Sequence, residues 1–226
     1  SETSATYRRS LLRQISGTTP PEWDLIVVGG GITGAGILRE AARCGYRVLL
    51  LEKKDFAWGC SSKSSKMVHG GLRYLAAGNW KITRESLRER ERLLSEAPGL
   101  IERIDYYFTL IRGQFPGRWS FSILLKLYDL FAGIKDHRFV SSASLMGVFP
   151  GINIPGLYGA YQFSDAMTND SRLVMRVLQE GMRDGGHALN YVSVNNLLRE
   201  KEQVCGVQVE EVNSSEEIVI RAKAIV

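Results

Sequence analysis

The chain has 226 residues, room for one large α/β domain or one and a half small ones. Its hydrophobic fraction of 44% and net charge of +5 exclude a disordered or fibrous chain and suit an anionic substrate, an anionic membrane surface or nucleic acid. The arginines are scattered rather than gathered in one tract, so no nucleic-acid partner is expected.

In chain order, residues 1–22 form a polar arm ending at the breaker Gly17-Thr18-Thr19-Pro20-Pro21. Tyr7, Leu11 and Ile15 recur every four residues and allow a short amphipathic helix carrying Arg8, Arg9 and Arg13. A loosely held tail is nonetheless the preferred reading of so polar a terminus. Residues 24–29 (DLIVVG) predict a buried strand, residues 32–44 an alanine-rich helix stopped by Gly45, and residues 47–52 (RVLLLE) a second strand. Both strands are apolar throughout, which implies a parallel sheet covered on both faces.

Residues 79–97 predict a highly charged helix stopped by Pro98 and read as a solvated face, with Lys81 and Glu85, and Glu89 and Arg92, as surface pairs. From 104 to 168 aromatic, Pro and Gly residues become frequent and the βα rhythm is lost. Within that stretch, Trp119–Phe131 is strongly apolar at helical spacing. It is shorter than the roughly 20 residues a bilayer requires, so it reads as a buried helix of a second domain or as an interfacial element. The rhythm returns with a helix near 169–184, ended by Gly185-Gly186, and strands near 187–194, 203–212 and 216–226. The last two form a hairpin about Asn213-Ser214-Ser215. Cys44, Cys60 and Cys205 lie far apart, form no CxxC pair, and read as reduced thiols of a cytoplasmic protein.

The chemistry concentrates at the first strand–helix junction. Gly29-Gly30-Gly31-Ile32-Thr33-Gly34 fits G-x-G-x-x-G between a strand and a helix. Gly29 permits the tight turn, Gly31 lets backbone approach a pyrophosphate, and Gly34 lets the helix pack on the strand. Glu52 ends the second strand eighteen residues after Gly34, where a carboxylate accepts hydrogen bonds from an adenosine ribose and disfavours a 2′-phosphate. An NAD-binding half normally continues into another helix and strand. Here the polar stretch DFAWGCSSKSSKMVHGGLRYL (Asp55–Leu75) follows instead. Its serines and glycines suit the longer FAD, whose ribityl chain and flavin need enclosing.

From Cys60 to Leu75 the sequence resembles the FAD-dependent glycerol-3-phosphate dehydrogenase and oxidase family. The fingerprint VVGGGITGAGILREAARCGYRVLLLEKKDFAWG, then SSKSSKMVHGGLRYL, ESLRERERLLSEAPGL, YQFSDAMTNDSRLV and GGHALNYVSV carry the resemblance over about residues 23–226. It implies an α/β fold: an FAD-binding Rossmann-like domain of the glutathione-reductase type in the DAO superfamily, made of 23–103 and 166–226, with a partial α+β cap inserted at 104–165. It further implies that Gly29, Gly31, Gly34, Glu52 and Lys53 hold the ADP half of FAD. Ser61, Ser62, Ser64 and Ser65 would line the pyrophosphate and ribityl chain. His69, Gly70 and Gly71 would run past the flavin, and Val194 would meet the adenine through its backbone. Arg73 and Tyr74 would face the substrate, Arg73 its phosphate and Tyr74 an oxygen near the reacting carbon, with His69 one candidate base.

Asp165, Asn169 and Asp170 invite a metal reading, which is set aside: Asn169 or Asp170 is better placed to cap the following helix, with Arg172 beside it at the surface. The resemblance implies glycerol 3-phosphate as substrate, quinone or oxygen as electron acceptor, and a peripheral place on the cytoplasmic face of the inner membrane. The oligomeric state, a homodimer included, stays open. RAKAIV at the C-terminus reads as the start of a strand, so a fragment of a longer polypeptide is expected. In the family that strand leads to an Asn-Ala-Thr-Gly segment at the cofactor, and more substrate-binding basic residues follow. The 226 residues alone are therefore expected to bind FAD weakly and not to turn over.

Overall fold

The computed structural model describes residues 4–212 and 214–226. The elements in chain order are α1 (Ser4–Ser16), β1 (Trp23–Val28), α2 (Ile32–Arg43), β2 (Val48–Leu51), β3 (Met67–Val68), α3 (Leu72–Ala76), α4 (Trp80–Glu96), β4 (Ile101–Ile111), α5 (Arg118–Ala132), β5 (Arg138–Ser141), α6 (Ser142–Val148), β6 (Leu157–Thr168), α7 (Asp170–Arg183), β7 (His187–Leu189), β8 (Val192–Glu200), β9 (Gln203–Glu211) and β10 (Glu216–Ile225). They form two compact units: 1–64 with 170–226, and 65–169.

The first unit is built on a six-stranded sheet in the order β7-β2-β1-β10-β9-β8. β7, β2, β1 and β10 run parallel, and β9 and β8 continue antiparallel from β10. All four residues of β2 are buried, as the unbroken apolar run requires. Val48 and Leu50 face α2 and α7, packing with Leu38, Val174 and Leu178. Leu49 and Leu51 face the other way and pack with Trp23, Ile26, Val209 and Ile220.

That second face needs a cover, and α1 supplies part of it. Leu11 and Ile15 are almost completely buried, at 2% and 1% exposure. Tyr7 Oη lies 3.0 Å from His187 Nδ1, and Arg8 pairs with Glu211 at 2.6 Å. The four-residue spacing is thus a docked amphipathic helix and not a loose tail, because the sheet face beneath would otherwise expose Trp23 and Ile26 to water. The span 187–194 is likewise two strands. The chain turns at Asn190 and Tyr191, the latter at φ +54°, and the second strand runs on to Glu200. The β9–β10 hairpin forms as expected, with Asn213 outside the described residues.

The second unit is a four-stranded antiparallel sheet in which β6 pairs β4, β3 and β5. It begins at Ser65, well before the boundary expected at 104. The physical reason lies in two contacts: β3 adds to the edge of β6, and α4 packs on α5. α5 turns Phe121, Leu125 and Tyr128 inward against Leu110 and Tyr161 and leaves its opposite side apolar in water. Among the described residues, no helix is long and apolar enough to cross a membrane.

Candidate functional site

In the first unit, β1 ends at Val28 and the chain turns through Gly29–Gly31 into α2, whose N-cap is Gly31. A glycine cap offers no side-chain oxygen to the first-turn amides. Ser61 supplies one from elsewhere: its Oγ accepts the Ile32 N–H at 2.9 Å. At Gly34 a Cβ would stand 2.0 Å from the Gly29 carbonyl oxygen and 3.4 Å from Val27 Cγ1. Helix and strand therefore meet backbone to backbone, which brings the partially positive helix end to the exit of β1. A groove of about 270 Å³ opens there, lined by Gly29, Gly31, Thr33, Gly34, Ser61 and Val226.

The Glu52 carboxylate accepts the Gly30 N–H at 2.7 Å on one oxygen and the Lys54 N–H at 2.8 Å on the other. Each oxygen retains acceptor capacity for a further donor. The Glu52 backbone donates to Leu189 O and accepts from Val192 N–H, both at 2.9 Å, which pins the start of β8 beside the end of β2. Val194, two residues on, is half-buried at a register break in the β8–β9 ladder. Lys53 is exposed in the turn after β2. Ser62 Oγ donates back to the Gly59 carbonyl at 3.3 Å, and Ser64 bonds the Asp170 carboxylate at the head of α7.

The unit thus gathers Gly29, Gly31, Gly34, Glu52, Ser61 and Val194. A glycine-walled groove at a helix N-terminus with a carboxylate at the next strand end has the chemistry a dinucleotide requires: amides for phosphate, an acceptor for ribose.

The remaining residues, Ser65, His69, Gly70, Gly71, Arg73 and Tyr74, belong to the second unit. His69 and Arg73 are exposed, as is Tyr74, whose ring centroid lies 6.1 Å from that of His69. Arg73 takes part in none of the ion pairs among the described residues. Between these side chains Gly70 and Gly71 are buried. A Cβ on Gly70 would come within 2.2 Å of both Leu87 Cδ2 and Tyr128 Oη, and Gly71 has φ +82°.

Sequence reasoning missed what lies beneath this turn. Arg90 of α4 is wholly buried, not part of a solvated face. Its Nη1 donates to Asp165 Oδ1 at 3.0 Å, and the same oxygen accepts the Gly70 N–H at 3.0 Å. Burial lowers the tendency of the guanidinium to stay protonated, but its bond to Asp165 and the neighbouring Tyr128 and Glu91 outweigh this, and the net direction is up. Burial, followed by the charge of Asp165, pushes the Tyr128 phenol well up, so its proton stays in place. The available signal was the i, i+4, i+7 spacing of Thr83, Leu87 and Arg90, the buried stripe of α4. Asp165 is thereby an ion-pair partner, and among the described residues no group of three His, Cys, Asp or Glu side chains gathers for a metal.

Comparison with known proteins places these features in context. The family model DAO, FAD dependent oxidoreductase, matches residues 24–226. An aerobic glycerol-3-phosphate dehydrogenase of Bacillus subtilis is 36% identical over 217 residues, 95% of this chain and 39% of that protein. One from Staphylococcus aureus is 34% identical over 209 residues, 91% of this chain and 38% of that protein. The chain thus spans about two-fifths of the length of the curated relatives it matches. Among solved structures, the glycerol-3-phosphate dehydrogenase from Bacillus halodurans complexed with FAD superposes with a TM-score of 0.74 at 25% identity, covering 98% of this chain and 36% of that one. An L-proline dehydrogenase from P. horikoshii, at 0.65 and 18% identity over 92% of this chain and 52% of its own, shares the fold.

Proposed function

We propose, from the premise that this chain belongs to the DAO family of FAD dependent oxidoreductases, that it is part of an enzyme that oxidises sn-glycerol 3-phosphate to dihydroxyacetone phosphate. The observation that carries the reading is 36% identity, over 95% of the chain, to an aerobic glycerol-3-phosphate dehydrogenase. FAD is the cofactor the first unit suits. Gly29, Gly31, Gly34, Ser61, Ser62, Ser64 and Ser65 are assigned to its phosphates and ribityl chain, Glu52 and Lys53 to its ribose, and Val194 to its adenine. Gly70 and Gly71 are assigned to its flavin.

Bound FAD would supply the two-electron acceptor for the hydrogen on C2 of the substrate. Arg73 holds the phosphate: a guanidinium is always charged and binds phosphate bidentately, and its exposure with no ion pair among the described residues leaves it free to do so. Tyr74 donates to an oxygen near C2, and His69, its ring tilted 57° to that of Tyr74, is the candidate acceptor of the hydroxyl proton. Quinone or oxygen would be the final electron acceptor. The test is anaerobic reduction of the flavin in the full-length polypeptide. Bleaching by glycerol 3-phosphate and not by glycine, proline or sarcosine is expected, and the reverse pattern makes the enzyme an amine oxidiser.

A second reading concerns location, and α5 favours it. Trp119, Ile123 and Leu130 are 79%, 61% and 71% exposed on one side of that helix, with Arg118 and Lys126 beside them. Apolar side chains interleaved with cations suit the interface of an anionic membrane, here its cytoplasmic face. The full-length polypeptide is expected to co-sediment with vesicles containing anionic lipid and to lose most of that binding in Trp119→Ser/Ile123→Ser/Leu130→Ser. Equal binding by the variant rejects this face. Residues 1–22 are less suited to the role, because α1 spends its apolar side on the sheet.

A further inference from the structure

We propose that Arg90 and Asp165 are a buried positioning pair that sets the conformation of the His69–Tyr74 turn. The substrate half of this claim rests on the function proposed above. Burying a guanidinium and a carboxylate costs several kcal/mol per ion before pairing, and well-packed apolar residues often serve a core equally well. Arg90 is 0% exposed and Asp165 4%, so the pair is present in spite of that penalty. What it does that apolar residues cannot is direct a hydrogen bond.

The direction is toward Gly70. Asp165 Oδ1 receives Arg90 Nη1 and the Gly70 amide, each at 3.0 Å. The guanidinium is oriented in turn by the Ser164 carbonyl at 3.3 Å and by Glu91, 2.8 Å from Nη2. Glu91 also binds Arg103 of β4, so the carboxylate that steadies Arg90 is itself held. Two turns earlier on α4, Thr83 Oγ1 donates to the Gly71 carbonyl at 3.2 Å.

Both ends of the Gly70–Gly71 unit are therefore tied to buried groups, and neither glycine can move toward them. Leu87 and Tyr128 fill the space on one side of Gly70, and Gly71 occupies a backbone region open mainly to glycine. The residues on either side behave oppositely: His69, Arg73 and Tyr74 are exposed. A rigid, buried clamp that presents exposed side chains is the arrangement a binding turn requires, since an ångström of misplacement costs about a hundredfold in rate.

The decisive experiment uses the flavin-loaded full-length polypeptide and the variant Arg90→Met/Asp165→Leu, which removes both charges and keeps the core apolar. Amide hydrogen exchange at Gly70 is expected to quicken about ten- to a hundredfold, the range of a bond to a charged acceptor. The kcat for glycerol 3-phosphate is expected to fall about tenfold or more while flavin content stays unchanged. Wild-type protection at Gly70 overturns the clamp, and faster exchange with wild-type kcat and KM overturns its positioning role. If the double variant does not fold, Asp165→Asn decides. It keeps the shape and loses the charge, so a smaller rise in exchange supports the clamp and no rise overturns it. Should the parent enzyme leave glycerol 3-phosphate untouched, the functional reading fails while the exchange measurement still judges the clamp.

Discussion

Gly34→Ala in the full-length polypeptide abolishes tight FAD binding, by about a hundredfold or more, and lowers the melting temperature. The new Cβ would lie 2.0 Å from the Gly29 carbonyl oxygen and 3.2 Å from its carbon. Carbon–oxygen contacts run at about 3.3–3.6 Å, so the overlap exceeds roughly 1 Å. Both atoms are backbone, with no rotamer to escape into, so the loop or the first turn of α2 must shift. Overpacking of this kind costs about 1–3 kcal/mol. The greater loss is functional, because the shift separates the helix end from the carboxylate of Glu52, which is tied to Gly30 at 2.7 Å. Gly36→Ala, two residues on in the same helix, meets nothing within 4 Å. It is expected to stabilise by about 0.5–1 kcal/mol and to leave FAD binding alone. Thermal melts and FAD titrations on the pair check both signs, and two variants that behave alike defeat the close-packing argument.

The contrast between these glycines marks what a sequence can disclose. The G-x-G-x-x-G spacing and Glu52 were legible because a strand–turn–helix leaves little freedom: each glycine answers to a neighbour a few residues away. β1, β2 and the β9–β10 hairpin were legible for the same reason, their pattern being local. Arg90 was not, since its partners stand 75 residues away in β6 and 38 away in α5. In a helix with charges at most positions, one inward cation looks like its solvated neighbours until the partner is known.

The unit boundary failed in a related way. The polar stretch Asp55–Leu75 reads as one loop, yet its serines to Ser64 belong with the nucleotide unit and the residues from Ser65 with the other. Only the pairing of Met67 and Val68 with Met167 and Ala166 reveals this, and edge pairing by two residues leaves no periodic trace. The stretch that reads as one motif thus divides between the two units at the Ser64–Ser65 link.

The N-terminal helix leads to the second large expectation: Leu11→Ala/Ile15→Ala destabilises the first unit by several kcal/mol. Each side chain is almost wholly buried against the β1–β2–β10 face, among Trp23, Ile26, Leu49 and Ile220. Deleting a buried Leu or Ile to Ala costs about 2–5 kcal/mol, against total stabilities of about 5–15 kcal/mol. Truncation at two positions of one short helix also weakens its grip through Tyr7 and Arg8, so the urea midpoint should fall by a large fraction of its value. Arg9→Ala/Arg13→Ala, at exposed positions of the same helix, should move it little. The interface carries a pH signature as well. Burial first, and then the charge of Arg47, hold the His187 imidazole below its ordinary 6.5, so protonation opposes folding. The unfolded chain takes up this proton first as pH falls through 6.5. Stability drops from there to the lower native value and levels off beneath it. Urea midpoints of the parent and His187→Gln across that window separate the contribution: the parent should lose stability toward acid, and the variant should lose the part of that slope that His187 supplies.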